Sequence, residues 1–248
     1  MNTTATETGP ALNERLLVML PSYNDHDSLP EVCRDVLAHL PRARLLIVDD
    51  GSREAVAADS LPGDALIARL PDNYGLGVGM HVAFDHMLAQ GYDWLLRLDA
   101  DGQHPAEAAP NLLALLRDDR CDLAVAVRVN AGQGRGLRAF FTRAVHGYYR
   151  RISRLLAPSH PPDDPVSGFM AFNRKAAAEL NREAYDRYPE PEIRLFAARA
   201  GLRVSVVPIE QRARRQGRST ISFDRALLLL YRFNVLALTL MTRRGGRS

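Results

Sequence analysis

Cysteine, lysine and tryptophan are nearly missing from this 248-residue sequence. Cys33 and Cys121 stand far apart and match no metal-ligand spacing, which argues against a disulfide framework or a thiolate metal site and fits a reducing compartment. Both read as buried small hydrophobes. Lys175 is the only lysine, so arginine carries nearly all the positive charge. No run of 18 uncharged apolar residues occurs, so a membrane-spanning helix is not expected. The first 15 residues are polar and threonine-rich without an apolar centre, and read as a disordered leader rather than a signal peptide. No GxGxxG is present, so a dinucleotide fingerprint is unsupported, and no internal repeat is evident.

What is present is an ordinary soluble composition, 46% hydrophobic and 25% charged, able to bury one full core. The net charge of +3 hides an asymmetry. Residues 199–248 hold eleven arginines against Glu210 and Asp224, a balance of +9, which leaves −6 on the rest. Such a segment is either a solvated basic tail or a contact for an anionic partner: a diphosphate, a lipid phosphate or a membrane surface.

Short apolar runs alternate with helical patterns. Strands are expected at Leu16–Leu20, Leu45–Val48, Ala65–Leu70, Trp94–Leu98, Leu123–Val129, Phe169–Phe172 and Arg203–Val207. Helices are expected after Ser28, whose Ser28-Leu29-Pro30-Glu31 has the form of a capping box, and at Gly75–Gln90, Arg174–Leu180, Glu192–Ala200 and Asp224–Met241. Pro158–Pro165 is the one proline-rich break. The alternation predicts an α/β domain over 16–223 with a mostly parallel central sheet and helices on both faces, followed by an apolar and basic helix and tail over 224–248.

Three predicted strands end in polar signatures: Pro21-Ser22-Tyr23-Asn24-Asp25, Asp49-Asp50-Gly51-Ser52 and Asp99-Ala100-Asp101-Gly102-Gln103-His104. In open α/β sheets the carboxyl ends of the strands are where ligands bind. Asp-x-Asp offers hard oxygen ligands that can share Mg²⁺ or Mn²⁺ with a substrate diphosphate. A tyrosine face can stack on a base, and a carboxylate can accept hydrogen bonds from a base or ribose. Taken singly, each signature also reads as a solvated turn or a helix cap. Three on one edge favour a site.

With Asn73-Tyr74-Gly75-Leu76-Gly77, Asp164-Pro165-Val166-Ser167-Gly168-Phe169, Tyr188-Pro189-Glu190-Pro191-Glu192 and Arg214-Arg215-Gln216-Gly217-Arg218-Ser219, these segments run in order over residues 16–221. The sequence resembles the inverting family-2 glycosyltransferases of the GT-A fold, in the branch of the dolichyl- and polyprenyl-phosphate mannose synthases. The resemblance implies a nucleoside-diphosphate sugar donor (UDP- or GDP-linked) contacted by Pro21, Tyr23, Asp25, Asp49, Asp50, Asp99, Arg128, Arg214 and Arg218. It implies Mg²⁺ or Mn²⁺ at Asp99 and Asp101, with Gln103 as a further oxygen ligand. Asp101, Arg128 and Glu192 would be the catalytic residues, with Arg143 a weaker candidate than Arg128 for the phosphates.

The acceptor divides the chemistry. A polyprenyl phosphate is already anionic and needs no general base, whereas a saccharide or natural-product hydroxyl does. Glu192 matches the position of the catalytic carboxylate in members with hydroxyl acceptors, and Glu190 and Asp164 are its alternates. The lipid phosphate is favoured, because the +9 segment adjoins an apolar helix; peripheral contact with the inner face of the membrane from the cytoplasm is the matching location. Three departures stand out. Asp25 replaces a frequent glutamate and reaches less far, Met170 stands where an arginine often follows Ser-Gly-Phe, and the two-helix anchor of some members is missing. Two other classes are a catalytically inactive nucleotide-sugar-binding protein, against which the intact Asp50, Asp99 and Asp101 argue, and a nucleic-acid reader. The basic segment lacks the interleaved aromatics of the latter.

Overall fold

Leu16–Ser22 forms the first strand, β1, and its alternate side chains enter two separate cores. Leu16, Val18 and Leu20 pack on one face of the sheet, Leu17 and Met19 on the other. A strand buried on both faces needs an unbroken apolar run, which is what the sequence supplies here and in β2, Arg44–Asp49. The computed structural model describes residues 15–24, 27–129, 137–156, 167–185, 187–212, 231, 234 and 235.

The remaining strands are β3 (Leu66–Arg69), β4 (Trp94–Arg97), β5 (Leu123–Arg128), β6 (Met170–Asn173) and β7 (Val204–Ile209). They form one seven-stranded sheet in the order β3-β2-β1-β4-β6-β5-β7. Only β6 runs against its neighbours, pairing antiparallel with β4 and β5, and all other pairs are parallel. The sheet therefore takes in strands from both sides of the proline-rich break, which itself lies outside the described residues.

Among the described residues, six helices pack about the sheet: α1 (Leu29–His39), α2 (Leu76–Gln90), α3 (Ala109–Arg117), α4 (Leu137–Leu156), α5 (Arg174–Leu180) and α6 (Glu190–Arg199). The apolar stripes of α1 and α3, such as Leu29, Val36, Leu112 and Leu116, close one core. Met80, Phe84 and Met87 of α2, with Leu180 of α5 and Ile193 and Phe196 of α6, close the other. Phe84 meets Phe172 edge-on with centroids 5.3 Å apart.

Two helices, α3 and α4, have no counterpart in the sequence expectations. The nine-residue α3 offers only the short stripe Ala109, Leu112, Leu113 and Leu116, and arginines recur along α4. The capping box at α1 is corrected. Ser28 has helical backbone angles and makes no side-chain cap bond. Its buried hydroxyl donates instead to the carbonyl of Ala100 at 2.8 Å.

At the far edge of the sheet, Asp122 precedes β5 and is 1% exposed. It accepts hydrogen bonds from Asn173 Nδ2 (3.0 Å), Lys175 Nζ (3.2 Å) and both the backbone and guanidinium of Arg203. Burial works against its ionisation, but these donors outweigh it and hold the carboxyl far below the ordinary range. This hub joins β5, β6 and β7 at the end opposite the acidic loops.

Candidate active site

The carboxyl ends of β1, β2 and β4 lie side by side in the sheet, and the three polar signatures follow them. The loops after β1 and β2 are laced together. Asn24 N–H donates to Ser52 Oγ at 2.9 Å, Arg53 N–H to Asn24 Oδ1 at 3.0 Å, and Asp50 N–H to Ser22 O at 2.9 Å. Gly51 makes this possible: its φ is +69°, and a Cβ there would overlap the Asp72 backbone. Tyr23 stands at the rim, 45% exposed, with its ring free to meet a flat partner.

Asp49 and Asp50 are adjacent in sequence and opposite in role. Asp49 is fully buried, accepting from Ser52 N–H at 3.0 Å and Arg69 Nη1 at 3.2 Å. Asp50 turns outward and takes one backbone N–H on each oxygen, from Tyr74 and Gly75, both at 2.8 Å. Partial burial raises its pKa, and the two amide bonds act against that rise. Asp50 thus holds the Asn73–Leu76 turn that starts α2. Arg187 grips the same turn from the other side, with Nη2 donating to Asn73 O at 2.6 Å and its carbonyl accepting Leu76 N–H at 3.2 Å.

After β4, Asp101 Oδ1 accepts Gln103 N–H at 3.0 Å and so fixes the loop bend. His104 Nδ1 accepts the Asp99 N–H at 3.0 Å, and the ring stacks on Phe169 with centroids 5.2 Å apart. Burial lowers the His104 pKa, and a ring nitrogen that accepts a backbone N–H requires the neutral form. Asp99 remains partly open, its side chain 38% exposed. One oxygen, Oδ1, accepts from Arg97 Nη2 at 3.1 Å. The other, Oδ2, lies 3.7 Å from His104 Nε2. Arg128 closes β5 on the same edge with Nη1 3.5 Å from Gln211 Oε1. Past β7, Arg212 N–H donates to the Gln103 carbonyl at 3.0 Å, and its guanidinium pairs with Asp35 at 2.8 Å and with Glu107.

On the neighbouring wall, α6 begins with Glu190 and Glu192. Glu190 Oε1 accepts from the buried Arg97 at 2.7 Å. Glu192 is 8% exposed, and its charge, after burial itself, contributes to raising the pKa of the buried Tyr149 of α4.

A family model for glycosyl transferase family 2 matches residues 17–180. The chain belongs to that family. Polyprenol monophosphomannose synthase of Mycolicibacterium smegmatis is 30% identical over 222 residues, 84% of this chain and 82% of that protein. Undecaprenyl-phosphate mannosyltransferase of Micrococcus luteus is 27% identical over 217 residues, 84% and 88% of the two chains. Among solved structures, glucosyl-3-phosphoglycerate synthase of Mycobacterium tuberculosis superposes with a TM-score of 0.68 at 19% identity, covering 91% of this chain and 80% of that one. The same synthase with Mn²⁺, uridine diphosphate and phosphoglyceric acid gives 0.65 at 20% identity, covering 94% and 79%. At these identities the structures speak to the fold, which is GT-A. The protein is a glycosyltransferase.

Within this glycosyltransferase, Pro21, Tyr23, Asp50, Asp99, Asp101, Gln103 and Arg128 lie on or just beyond one sheet edge, with Glu190 reached from it through Arg97 and Glu192 two residues further on in the first turn of α6. Asp49 belongs to the inside of the loop that carries Asp50, where its whole side chain is covered. Asp25, Asp164, Arg214 and Arg218 lie outside the described residues. The donor set available to a divalent ion is the Asp99–Asp101 pair; among the described residues no three His, Cys, Asp or Glu side chains form a self-contained cage. Two carboxylates of hard oxygens fit Mg²⁺ or Mn²⁺ whose other ligands are phosphate oxygens and water. Sequence reasoning passed over Arg97, Arg187 and Arg212. Arg97 carried a visible signal, a charge closing an otherwise apolar strand, which when buried must find carboxylates.

Proposed function

We propose that this glycosyltransferase moves a sugar from a UDP- or GDP-linked donor to a polyprenyl phosphate, with inversion at the anomeric carbon. The observation that carries the reading is the Asp99–Asp101 pair at the end of β4, on the sheet edge that also carries Asp50 and the turn it holds. The names of the two relatives, both transferring to lipid phosphates, support the acceptor class.

Tyr23 offers a face for the base, and Asp50 keeps the Asn73–Leu76 turn in position for the nucleoside. Asp99 and Asp101 would hold Mg²⁺ or Mn²⁺, with Gln103 the adjacent oxygen donor. When bound, the cation supplies charge neutralisation at the departing nucleoside diphosphate. Arg128 adds a guanidinium on the same edge, and Arg214 and Arg218 belong to the segment that follows Arg212, whose backbone is tied to Gln103. A phosphate nucleophile needs no proton removed, so Glu192 acts as a fixed charge lining the acceptor wall. A single displacement by that nucleophile inverts the anomeric centre.

Contact with an anionic membrane surface follows from the same acceptor. Helix α4 carries five arginines and no Asp or Glu; Arg143 is exposed, as are Arg151 and Arg154 near Leu155, which is 63% exposed. Tyr148 of α4 bonds Asn234, and the neighbouring Tyr231 and Val235 are also exposed. No helix among the described residues is long and apolar enough to cross a membrane.

The second reading, a hydroxyl acceptor with Glu192 as base, has in its favour a buried carboxylate in the first turn of α6, two residues from Glu190, which the Arg97 guanidinium ties to Asp99. One experiment separates the two. Undecaprenyl phosphate and a panel of UDP- and GDP-sugars are offered with Mn²⁺, and the organic-phase product is taken for NMR. The lipid reading expects an inverted, lipid-linked product and substantial activity in Glu192→Gln. A loss on the order of 10²–10⁴-fold in that variant, with transfer to a water-soluble hydroxyl, would establish the second reading instead. Retained anomeric configuration would refute the single displacement.

A further inference from the structure

Arg97 ends β4 with a side chain only 1% exposed, the largest fully buried one among the described residues. A single nitrogen, Nη2, donates both to Asp99 Oδ1 at 3.1 Å and to Glu190 Oε1 at 2.7 Å. The other two, Nε and Nη1, are buried without a hydrogen-bond partner among the described residues. Burying a guanidinium in that state is unfavourable. Replacing all three charged groups by apolar side chains is often neutral or stabilising, whereas removing Arg97 alone would leave the Asp99 and Glu190 carboxylates without their shared partner. The arginine at this position therefore answers to those two carboxylates.

The strand register supplies a second observation. In the antiparallel β4–β6 pair, Arg97 lies directly opposite Met170, so the two side chains share the face covered by α6. Just before β6 the chain is pressed onto the ion pair: a Cβ on Gly168 would stand 2.7 Å from Arg97 Nη2 and 3.1 Å from Asp99 Oδ1.

We infer that Arg97 is a positioning residue that ties Asp99, on the donor side, to Glu190 in the first turn of α6, on the acceptor side, and that it provides from β4 the buried charge an arginine at 170 would provide from β6. The inference rests on the donor-site reading given above. Its physical content is that Asp99 keeps Oδ1 on Arg97 while Oδ2 lies beside His104, and the same guanidinium, through Glu190, fixes where α6 begins and hence where Glu192 stands. Replacing a residue that holds a metal-binding carboxylate in this way typically costs about 10–100-fold in metal affinity.

The test compares wild type, Arg97→Met, Arg97→Lys and Arg97→Met/Met170→Arg, each at a temperature where circular dichroism shows it folded. Calorimetry with UDP and with GDP, in the presence and absence of Mn²⁺, measures how much the metal raises nucleotide affinity. Arg97→Met is expected to cut that metal-dependent gain roughly tenfold or more, with the metal-free affinity unchanged. Adding Met170→Arg is expected to recover part of the loss, and Arg97→Lys, with a shorter reach and no planar fork, to fall between. Should the methionine variant fail to fold, the lysine variant carries the comparison, and an undiminished gain there overturns the inference. A gain equal in wild type and Arg97→Met, or a double variant no better than the single one, overturns it while leaving the donor site standing. A wild type whose affinity for both nucleotides ignores Mn²⁺ overturns the donor-site reading and this inference together.

Discussion

The hydroxyl of Ser28 donates to the carbonyl of Ala100 at 2.8 Å, joining the start of α1 to the peptide between the two carboxylates of the Asp-x-Asp loop. The bond is buried, so nothing replaces it when the hydroxyl is removed. Ser28→Ala is expected to cost about 1–2 kcal/mol of stability by leaving a buried carbonyl unpaired, and to weaken Mn²⁺-dependent nucleotide binding. Denaturant unfolding and calorimetry measure the two effects. Equal stability of variant and wild type would show that the carbonyl finds another donor.

Asp101→Ala should fold like wild type, because Asp101 sits in a loop and fixes only its local bend through Gln103 N–H. Metal-dependent sugar transfer should be abolished in this variant, and EDTA should silence the wild type until Mn²⁺ or Mg²⁺ is returned. Full activity in Asp101→Ala, or in EDTA-treated wild type, would remove the metal from the mechanism.

Asp50→Ala is expected to weaken nucleoside diphosphate binding by roughly 1–3 kcal/mol, the range for a lost hydrogen bond to a charged group. Because Asp50 accepts the Tyr74 and Gly75 amides, hydrogen exchange at those two amides should accelerate in the same variant. Unchanged affinity with accelerated exchange would leave Asp50 a holder of the turn and nothing more.

The arginines of α4 should bind vesicles containing phosphatidylglycerol and not vesicles of phosphatidylcholine alone, with the binding lost as salt rises. Replacing the exposed Arg151 and Arg154 by glutamate is expected to weaken that binding by about 1 kcal/mol or more per residue. Cosedimentation reads the result, and equal binding of wild type and double variant would move the contact elsewhere.

Asp122 predicts an acid limit to stability. Its folded pKa lies below the unfolded value of about 3.9. The stabilisation is therefore fully present above that value and is lost as pH falls below about 4 toward the depressed folded pKa. Thermal unfolding from pH 7 to 2.5 should show wild type losing stability below about pH 4 more steeply than Asp122→Asn, which starts on the order of 3 kcal/mol less stable at neutral pH. Parallel curves would assign the acid sensitivity to other carboxylates.

Apolar runs bounded by turns and amphipathic stripes are local properties, and each seven-residue stretch of such a chain can bury itself in few ways. For that reason the seven strands, the α/β class and the placement of Asp99 and Asp101 after a strand were legible in the sequence by itself. Neighbouring residues with identical chemistry were not separable in that way. Asp49 ends the strand with its side chain in the interior and Asp50 begins the loop, so one is sealed and the other faces the site. Ser28 looked like a helix cap, and only packing decided that its hydroxyl reaches across 72 positions of sequence to Ala100. Arg97 shows the same limit. Its charge is visible in the sequence, but Glu190 lies 93 positions away, and the register that sets Arg97 opposite Met170 exists only once β6 is inserted antiparallel between β4 and β5. Local pattern determines which segments form elements; partners distant in sequence are decided by how those elements pack.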